Sequence, residues 1–404
     1  MKDDKILDIT ADVKWIGVLD PDIRTFDIVM ETKFGTTYNS YFINAEKKAV
    51  VEATKEKFWD VYLEKLKKVV NPEEIEYIIM NHTEPDHSGN ALNLLKIAPK
   101  AKIVGTGNVI RYMTDLMNIE FPHIIVKDGD TLDLGNKKVR FIGAPNLHWP
   151  DSMYSYLEED KVLFTCDSFG AHYCHEEMYD DKVGNFDEAF KYYFDVILKP
   201  FSKYMLKAIE KIRPLDISAI CNGHGPLLTK NWKRYVDLSE QYSKEAISYP
   251  KRERVLIAYV SAYGKTQVLA ESIAKGVSQN DNVETDLCDI EKMPASELGE
   301  KLTQASGIII GSCTINQNTL PQIYTMFALM SPLRDKDKLA GCFGSYGWSG
   351  EAQKIIEANL ETLKLNLMPG NIFVKFTPSV KDIERCIVYG KNFADKMMEI
   401  KCAG

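Results

Sequence analysis

Six consecutive residues carry four side chains able to bind a metal: His82-Thr83-Glu84-Pro85-Asp86-His87. Imidazole nitrogens and carboxylate oxygens are the donors that zinc, iron and other divalent ions share. The short apolar run Glu76-Tyr77-Ile78-Ile79-Met80 reads as a buried strand and ends directly in this cluster. In extended chain, alternate residues share a face, so H-x-E-x-D would present three donors together. His87 at the following turn lets one short segment serve two metals. A solvated polar loop has the same composition, so the segment does not decide alone. Three later residues add weight: His148 in Leu147-His148-Trp149-Pro150-Asp151-Ser152, Asp167 just after the strand ending at Thr165, and His224 in Asn222-Gly223-His224-Gly225-Pro226. A lone His or Asp is more often structural than a ligand. Each of these follows a strand, however, and together they complete two coordination shells. Asp167 could bridge the two with its two carboxylate oxygens.

A second kind of chemistry is suggested further on. Ser261-Ala262-Tyr263-Gly264-Lys265-Thr266 joins a strand to a helix. Small and hydroxyl residues there let backbone N–H groups and side-chain oxygens surround a phosphate, although an ordinary βα turn with a helix cap reads the same way. It is neither the G-x-G-x-x-G of dinucleotide folds nor a complete G-x-x-x-x-G-K-[ST] loop. Gly311-Ser312-Cys313-Thr314-Ile315-Asn316 and Gly344-Ser345-Tyr346-Gly347-Trp348-Ser349-Gly350 follow two more apolar strands. In a doubly wound sheet such loops gather at the carboxyl edge, where ligands bind. One loop would hold phosphate and the other two would enclose a planar ring, with Tyr346 and Trp348 supplying aromatic surface.

The elements that must position these groups differ between the two parts of the chain. Residues 1–250 mix short strands and turns with a few helices. Phe26-Asp27-Ile28-Val29-Met30 and Ser40-Tyr41-Phe42-Ile43 read as strands around the turn Phe34-Gly35-Thr36. Phe58 to Val70 has helical spacing of apolar residues. Lys138–Ile142 and Lys161–Thr165 are further strands. From 251 the rhythm becomes regular: continuous apolar strands at Arg254–Val260, Gly307–Gly311 and Leu339–Phe343, with a helix from about Thr266 to Gln279. Continuous apolar strands separated by helices imply a parallel sheet covered on both faces. The boundary falls near Pro250, in Ser248-Tyr249-Pro250-Lys251-Arg252-Glu253. The predicted domains are therefore 1–250 and 251–404.

Composition narrows the class. The chain has 404 residues, 45% hydrophobic and 27% charged, which suits two or three globular domains and excludes a mostly disordered chain. Its net charge of −8 argues against a general nucleic-acid binder. No apolar run approaches the ~18 residues of a membrane span. No apolar segment follows the first residues, so no secretory signal or membrane partner is expected, and a cytoplasmic location is. The eight cysteines (166, 174, 221, 288, 313, 342, 386 and 402) include no C-x-x-C pair. That argues against a zinc ribbon, a redox dithiol and an attached rubredoxin module, and favours buried free thiols over disulfides.

Residues 1–250 resemble the metallo-β-lactamase superfamily. Its zinc hydrolases usually read H-x-H-x-D-H in the first motif, and here Glu84 stands in place of the second His. That change resembles the flavodiiron proteins, whose motif is H-x-E-x-D-H. L-H-W-P-D-S-M around His148, D-S-F-G-A-H from Asp167 and G-H-G at His224 follow in the family's order. The resemblance runs from about Trp15 to the C-terminal helix. It implies an αββα sandwich followed by a short-chain flavodoxin-like doubly wound sheet, so a mixed α+β and α/β chain. It implies one iron held by His82, Glu84 and His148, another by Asp86, His87 and His224, and Asp167 between them. Harder carboxylate donors favour iron over zinc. It implies FMN in the C-terminal part, with Ser261–Thr266, Ser312, Cys313, Thr314, Asn316, Ser345, Tyr346, Gly347, Trp348 and Gly350 around it. His172, near Asp167 in sequence, could hydrogen-bond a ligand or donate a proton, with a surface or structural histidine as the alternative; Tyr193 falls in a stretch where relatives place a tyrosine beside the diiron pocket, with a helical-core residue as the alternative. Two positions depart from the family: Cys313 stands where relatives often have proline, and Asp27 where they often have histidine.

The expected activity is reduction of dioxygen to water by a flavodiiron oxidoreductase, with nitric oxide reduction to nitrous oxide as the closest rival. The more distant rivals are a zinc hydrolase fused to a flavodoxin and a plain electron carrier. A rubredoxin-type protein is the expected donor, or else a reduced deazaflavin. The resemblance implies a head-to-tail homodimer, alone or as a dimer of dimers.

Overall fold

The computed structural model describes residues 4–27, 30–248 and 252–403. The chain divides into two compact units, Met1–Ser248 and Tyr249–Gly404. Of the candidate linker, residues 249–251 lie outside the described ones.

The first unit is built on two sheets. One runs in the order Leu7–Asp8, Val13–Trp15, Tyr41–Ile43, Lys48–Val51, Ile75–Ile79, Lys102–Gly105, His123–Ile125. The other runs Thr131–Asp133, Lys138–Gly143, Met153–Leu157, Val162–Cys166, Ala219–Asn222. Side chains alternate across each strand. Tyr41 and Ile43 therefore meet Phe141, Leu157 and Phe164 between the sheets. Phe42, Val50 and Ile78 point outward onto Tyr62 and Leu66 of the helix Trp59–Val69 and Val109 of Gly107–Met117. On the opposite outer face, Ile142, Tyr154 and Leu163 pack on Phe190, Met205, Ile209 and Tyr235 of three further helices. Helices thus cover both outer faces of the paired sheets, an αββα sandwich.

Ile75–Ile79 runs parallel to Lys48–Val51, and Val162–Cys166 runs parallel to Ala219–Asn222. The loops that carry His82, Asp167 and His224 leave from the carboxyl ends of these strands.

One predicted strand is corrected. Phe26–Met30 is not continuous: Thr25–Phe26 pairs antiparallel with Met30–Glu31, and Asp27 between them has φ 46. Ile28 and Val29 lie outside the described residues. Nor does this segment pair with Tyr41–Ile43, whose neighbours are Val13–Trp15 and Lys48–Val51.

The second unit is a parallel sheet in the order Val283–Asp289, Glu253–Val260, Gly307–Ser312, Leu339–Tyr346, Asn366–Leu367, with Ile372–Lys375 also paired to Leu339–Tyr346. This is the 2-1-3-4-5 order of flavodoxin-like folds. Leu269, Ile273 and Val277 from Lys265–Val277 cover one face together with Cys386 and Phe393 of Val380–Ala403. The helices Ala295–Gln304, Pro321–Leu329 and Ala352–Thr362 cover the other. Two glycines let the first pair of helices touch backbone to backbone. A Cβ at Gly276 would lie 2.0 Å from the Ile387 carbonyl oxygen, and one at Gly390 2.1 Å from that of Ile273.

Among the described residues, no helix is long and apolar enough to cross a membrane.

Candidate functional site

The ligand segment is not extended throughout. Pro85 begins the helical turn Pro85–Ser88, its missing N–H suiting that position. The expected single face carrying His82, Glu84 and Asp86 is thereby split. His82 and Glu84 join one group, and the turn carries Asp86 and His87 to another.

In the first group, His82 Nε2 lies 3.3 Å from Glu84 Oε2 and 3.5 Å from Asp167 Oδ2. His148 Nε2 lies 3.0 Å from the same Glu84 oxygen and 3.5 Å from Asp167 Oδ2. In the second, Asp86 Oδ2 lies 3.1 Å from His224 Nε2 and 3.5 Å from His87 Nε2. Asp167 Oδ1 lies 3.1 Å from His87 Nε2 and 3.5 Å from His224 Nε2. Asp167 thus offers one oxygen to each group. Donors about 2.0–2.2 Å from a common ion stand about 3.0–3.5 Å from each other, so these spacings match the edges of two coordination shells.

The electrostatics call for cations. Asp86 and Asp167 are 4% and 2% exposed, yet both Asp86 oxygens and Asp167 Oδ2 have no hydrogen-bond donor. Buried carboxylates left so are costly unless a cation meets them. Burial alone would raise the Asp167 carboxyl, but His87, His82 and His148 more than offset this and hold it well below its usual value. Glu84 is likewise held low, burial being outweighed by His148 and His82. The seven side chains therefore fit a pair of metal ions.

The residues behind the donors orient them. His82 Nδ1 faces both oxygens of the Asp151 carboxylate at 3.2 Å, and Asp151 also accepts the Thr83 N–H at 2.8 Å. His224 Nδ1–H donates to the Thr37 carbonyl at 2.6 Å. Tyr193 is fully buried and donates its hydroxyl to Asp167 Oδ1 at 2.9 Å. His172 lies beside it, ring centroids 4.8 Å from Tyr193 and 5.2 Å from His224. Its Nδ1 is 2.9 Å from the Thr36 hydroxyl, and its Nε2 has no partner. Burial and the neighbouring His224 hold His172 well below the usual imidazole value. Asp27 is pushed up to about 6 by burial and by Glu84 and Asp86. Sequence reasoning quoted Asp151 in its motif without a role and missed Glu52 entirely. Glu52 is 2% exposed and accepts the Asn81 N–H at 2.9 Å; burial pushes its carboxyl up, while His87 and the Asn81 N–H pull it down. Its polar side chain at the end of an apolar strand was the available signal.

In the second unit, the three strand-end loops enclose a cavity of about 350 Å3. Ala262, Tyr263, Lys265, Cys313, Thr314, Asn316, Ser345, Tyr346, Gly347 and Trp348 line it. Ser261, Gly264, Thr266, Ser312 and Gly350 do not line it. The Ser261 hydroxyl accepts the Gln267 N–H at 3.2 Å, and Thr266 and Ser345 hydroxyls meet at 2.9 Å. Ser312 donates to the Cys313 carbonyl at 2.8 Å. Ile315, Gln317, Ser349, Phe376 and Thr377 also line the cavity. Phe376 and Thr377 follow the strand Ile372–Lys375, an element that was not read from the sequence. Asn316 and Gln317 have φ 52 and 60, and the Ile315 N–H donates to the Asn318 carbonyl at 3.0 Å, a tight hairpin tip at the cavity's edge. The Thr314 hydroxyl is buried without a partner. A cavity lined by Tyr346 and Trp348, with the loop before the helix Lys265–Val277 at its edge, suits a planar ring carrying phosphate.

Two family models match the chain: "ODP family beta lactamase" over residues 36–225 and "Flavodoxin" over 257–388. The chain is 38% identical over 391 residues to Flavo-diiron protein FprA2 of Clostridium acetobutylicum, covering 94% of this chain and 96% of that one. It is 32% identical over 400 residues to a nitric oxide reductase of Moorella thermoacetica, covering 97% and 98%. Its fold is similar to that of rubredoxin oxygen:oxidoreductase from Desulfovibrio gigas, with a TM-score of 0.75 at 26% identity, over 99% of this chain and 100% of that one.

Proposed function

The chain belongs to the flavodiiron proteins, and on that premise we propose that it reduces dioxygen to water with electrons relayed through FMN. It is an oxidoreductase, and its cofactors are FMN and a pair of non-haem irons. In our reading His82, Glu84 and His148 would hold one iron, Asp86, His87 and His224 the other, and Asp167 would serve both. The observation that carries this is Asp167, whose two carboxylate oxygens face the two donor groups separately.

Two ferrous ions and a fully reduced flavin hold four electrons, the number that turns one dioxygen into two waters. The surrounding chain does the rest. Asp151 and the Thr37 carbonyl fix His82 and His224 with Nε2 toward the metals. Tyr193 shares its proton with Asp167 Oδ1, and the unpartnered His172 Nε2 is the nearby group able to exchange one with a small ligand. The phosphate would be met by the 261–266 loop and the ring held by Tyr346, Trp348 and the hairpin tip.

Likeness to rubredoxin oxygen:oxidoreductase supports the dioxygen reading and a rubredoxin-type donor; a reduced deazaflavin is the alternative. Likeness to the Moorella nitric oxide reductase supports the second reading, reduction of two nitric oxide molecules to nitrous oxide, which needs two electrons. We further propose a head-to-tail homodimer, alone or within a dimer of dimers, in the cytoplasm. The test begins with metal and flavin content of the purified protein, followed by anaerobic reduction and mixing with dioxygen or nitric oxide in separate cells. Two irons and one FMN per chain, with fast reoxidation by dioxygen and little peroxide, are expected. Faster turnover with nitric oxide would move the reading to the second substrate, and zinc without iron under iron-replete growth would sink both.

A further inference from the structure

His87 is a buried imidazole whose back is unexplained. Its Nε2 faces Asp167 and Asp86, but its Nδ1 has no partner. His82 and His224 are each backed at Nδ1, by Asp151 and by the Thr37 carbonyl. A second orphan lies close by. Glu52 uses Oε1 to accept the Asn81 N–H at 2.9 Å, while its Oε2 is buried without a partner. One donor atom each from Glu52, His87 and Cys166 lie within 4.8 Å of one another.

The backbone holds these two orphans together. Glu52 sits at a corner with φ 61, its N–H donating to the Ile79 carbonyl at 3.0 Å and its carbonyl accepting the Ser40 hydroxyl at 2.8 Å. The next residue, Ala53, donates its N–H to the His87 carbonyl at 2.6 Å. Glu52 and Ala53 are thereby tied to both ends of the segment from Asn81 to His87. Gly223 closes the other side of the ring: a Cβ there would lie 2.6 Å from His87 Cε1. The imidazole has little room to turn.

We propose that Glu52 is a positioning residue of the metal centre: Oε1 anchors the start of the ligand segment, and Oε2 accepts the Nδ1–H of His87. That bond selects the tautomer with a bare Nε2 directed at the metal. Carboxylate–imidazole pairs of this kind are the usual backing of metal-binding histidines. The inference rests on the reading that His87 holds an iron.

Glu52→Gln is the informative variant. Its amide oxygen still accepts the Asn81 N–H, but its NH2 now faces Nδ1, so two donors meet or His87 adopts the wrong tautomer. The expected result is at least tenfold weaker binding of one iron of the pair, with FMN content and the other iron unchanged. Glu52→Asp keeps an acceptor and is expected to restore part of that affinity. A direct readout needs no variant of Glu52. In zinc-loaded protein labelled with 15N-histidine, His87, assigned with His87→Gln, is expected to show a protonated Nδ1 whose hydrogen exchanges slowly. Wild-type iron affinity in Glu52→Gln, or a bare or freely exchanging His87 Nδ1, would overturn the inference. So would a third tightly held metal per chain lost on Glu52→Gln, since Glu52, His87 and Cys166 would then be ligands themselves. Wild-type protein that holds no iron would instead overturn the reading on which the inference rests.

Discussion

Asp167 is where the residue-scale forces meet. Its oxygens divide between the two donor groups, and Tyr193 donates to one of them. A hydrogen bond to a buried charge contributes about 1.5–3 kcal/mol. Tyr193→Phe is therefore expected to lower the unfolding free energy of the first unit by about that much, read by urea unfolding in the presence of a chelator; a loss under about 0.5 kcal/mol would mean the hydroxyl is not engaged. Asp151 acts through His82. Replacing it by Asn turns a donor toward Nδ1 and is expected to weaken one iron about tenfold or more, measured by competition with a chelator; unchanged affinity would remove Asp151 from the centre. The clustering of these seven donors was legible because three carboxylates and four imidazoles at strand ends are hard to explain otherwise. Their backing was not. Asp151 meets His82 across 69 positions, from one sheet to the other, and Glu52 meets Asn81 across 29, through the parallel pairing of Lys48–Val51 with Ile75–Ile79.

At the scale of elements, the centre depends on turns that crowd the ligands. The loop after Ala219–Asn222 places Gly223 against His87 and gives Gly225 φ 79. Gly223→Ala would drive a methyl into the imidazole and toward the Cys166 backbone, 3.1 Å away. Loss of one iron with FMN retained is the expected outcome, read by metal analysis beside the flavin spectrum; two irons at full occupancy would show that the ring can move. Tyr193 is the last residue of Asp187–Tyr193 before the wide π-type turn Phe194–Leu198, a device that recurs at functional sites and re-aims the residues around it. Helical spacing in the sequence does not reveal such a turn, just as it did not reveal the fold-back at Asp27. The second unit has its own buried anchor. Asp335 is fully buried and accepts from Arg334 Nε at 2.8 Å, Lys338 Nζ at 2.7 Å and the Ser331 N–H at 2.9 Å. Burial alone would raise its carboxyl, but Arg334 and Lys338 outweigh that and hold it low. A depressed folded value means that its stabilisation is present above the ordinary carboxylate range and is lost as pH falls below about 4. Asp335→Asn is expected to cost this unit about 3–5 kcal/mol at pH 7 and to remove part of its acid sensitivity, seen as a flatter pH dependence of the flavin-release midpoint. Equal midpoints for both proteins at pH 7 would show that the cluster contributes nothing.

At the scale of the molecule, the change of rhythm near residue 250 made two folds legible, because continuous apolar strands announce a covered parallel sheet while the mixed first part does not. The proposed function needs both at once: donor groups that would hold a metal pair and a ring-sized cavity suit electron transfer only if they work as a couple. The proposed head-to-tail pairing makes a specific claim about which partners couple, since each flavin would serve the other chain's irons. Two damaged chains can test it. Asp167→Ala removes the bridging carboxylate, and Gly347→Trp fills the cavity wall beside Tyr346 and Trp348. With the two substitutions on different chains of a tag-selected heterodimer, the intact flavin of the first chain faces the intact irons of the second. About half the wild-type turnover per dimer is expected. With both substitutions on one chain and a wild-type partner, each surviving centre faces a damaged one, and turnover should vanish. Transfer within a single chain predicts the reverse: no turnover in the first heterodimer and about half in the second. The two arrangements contain the same four sites, so stability and cofactor content are matched and only the direction of coupling differs.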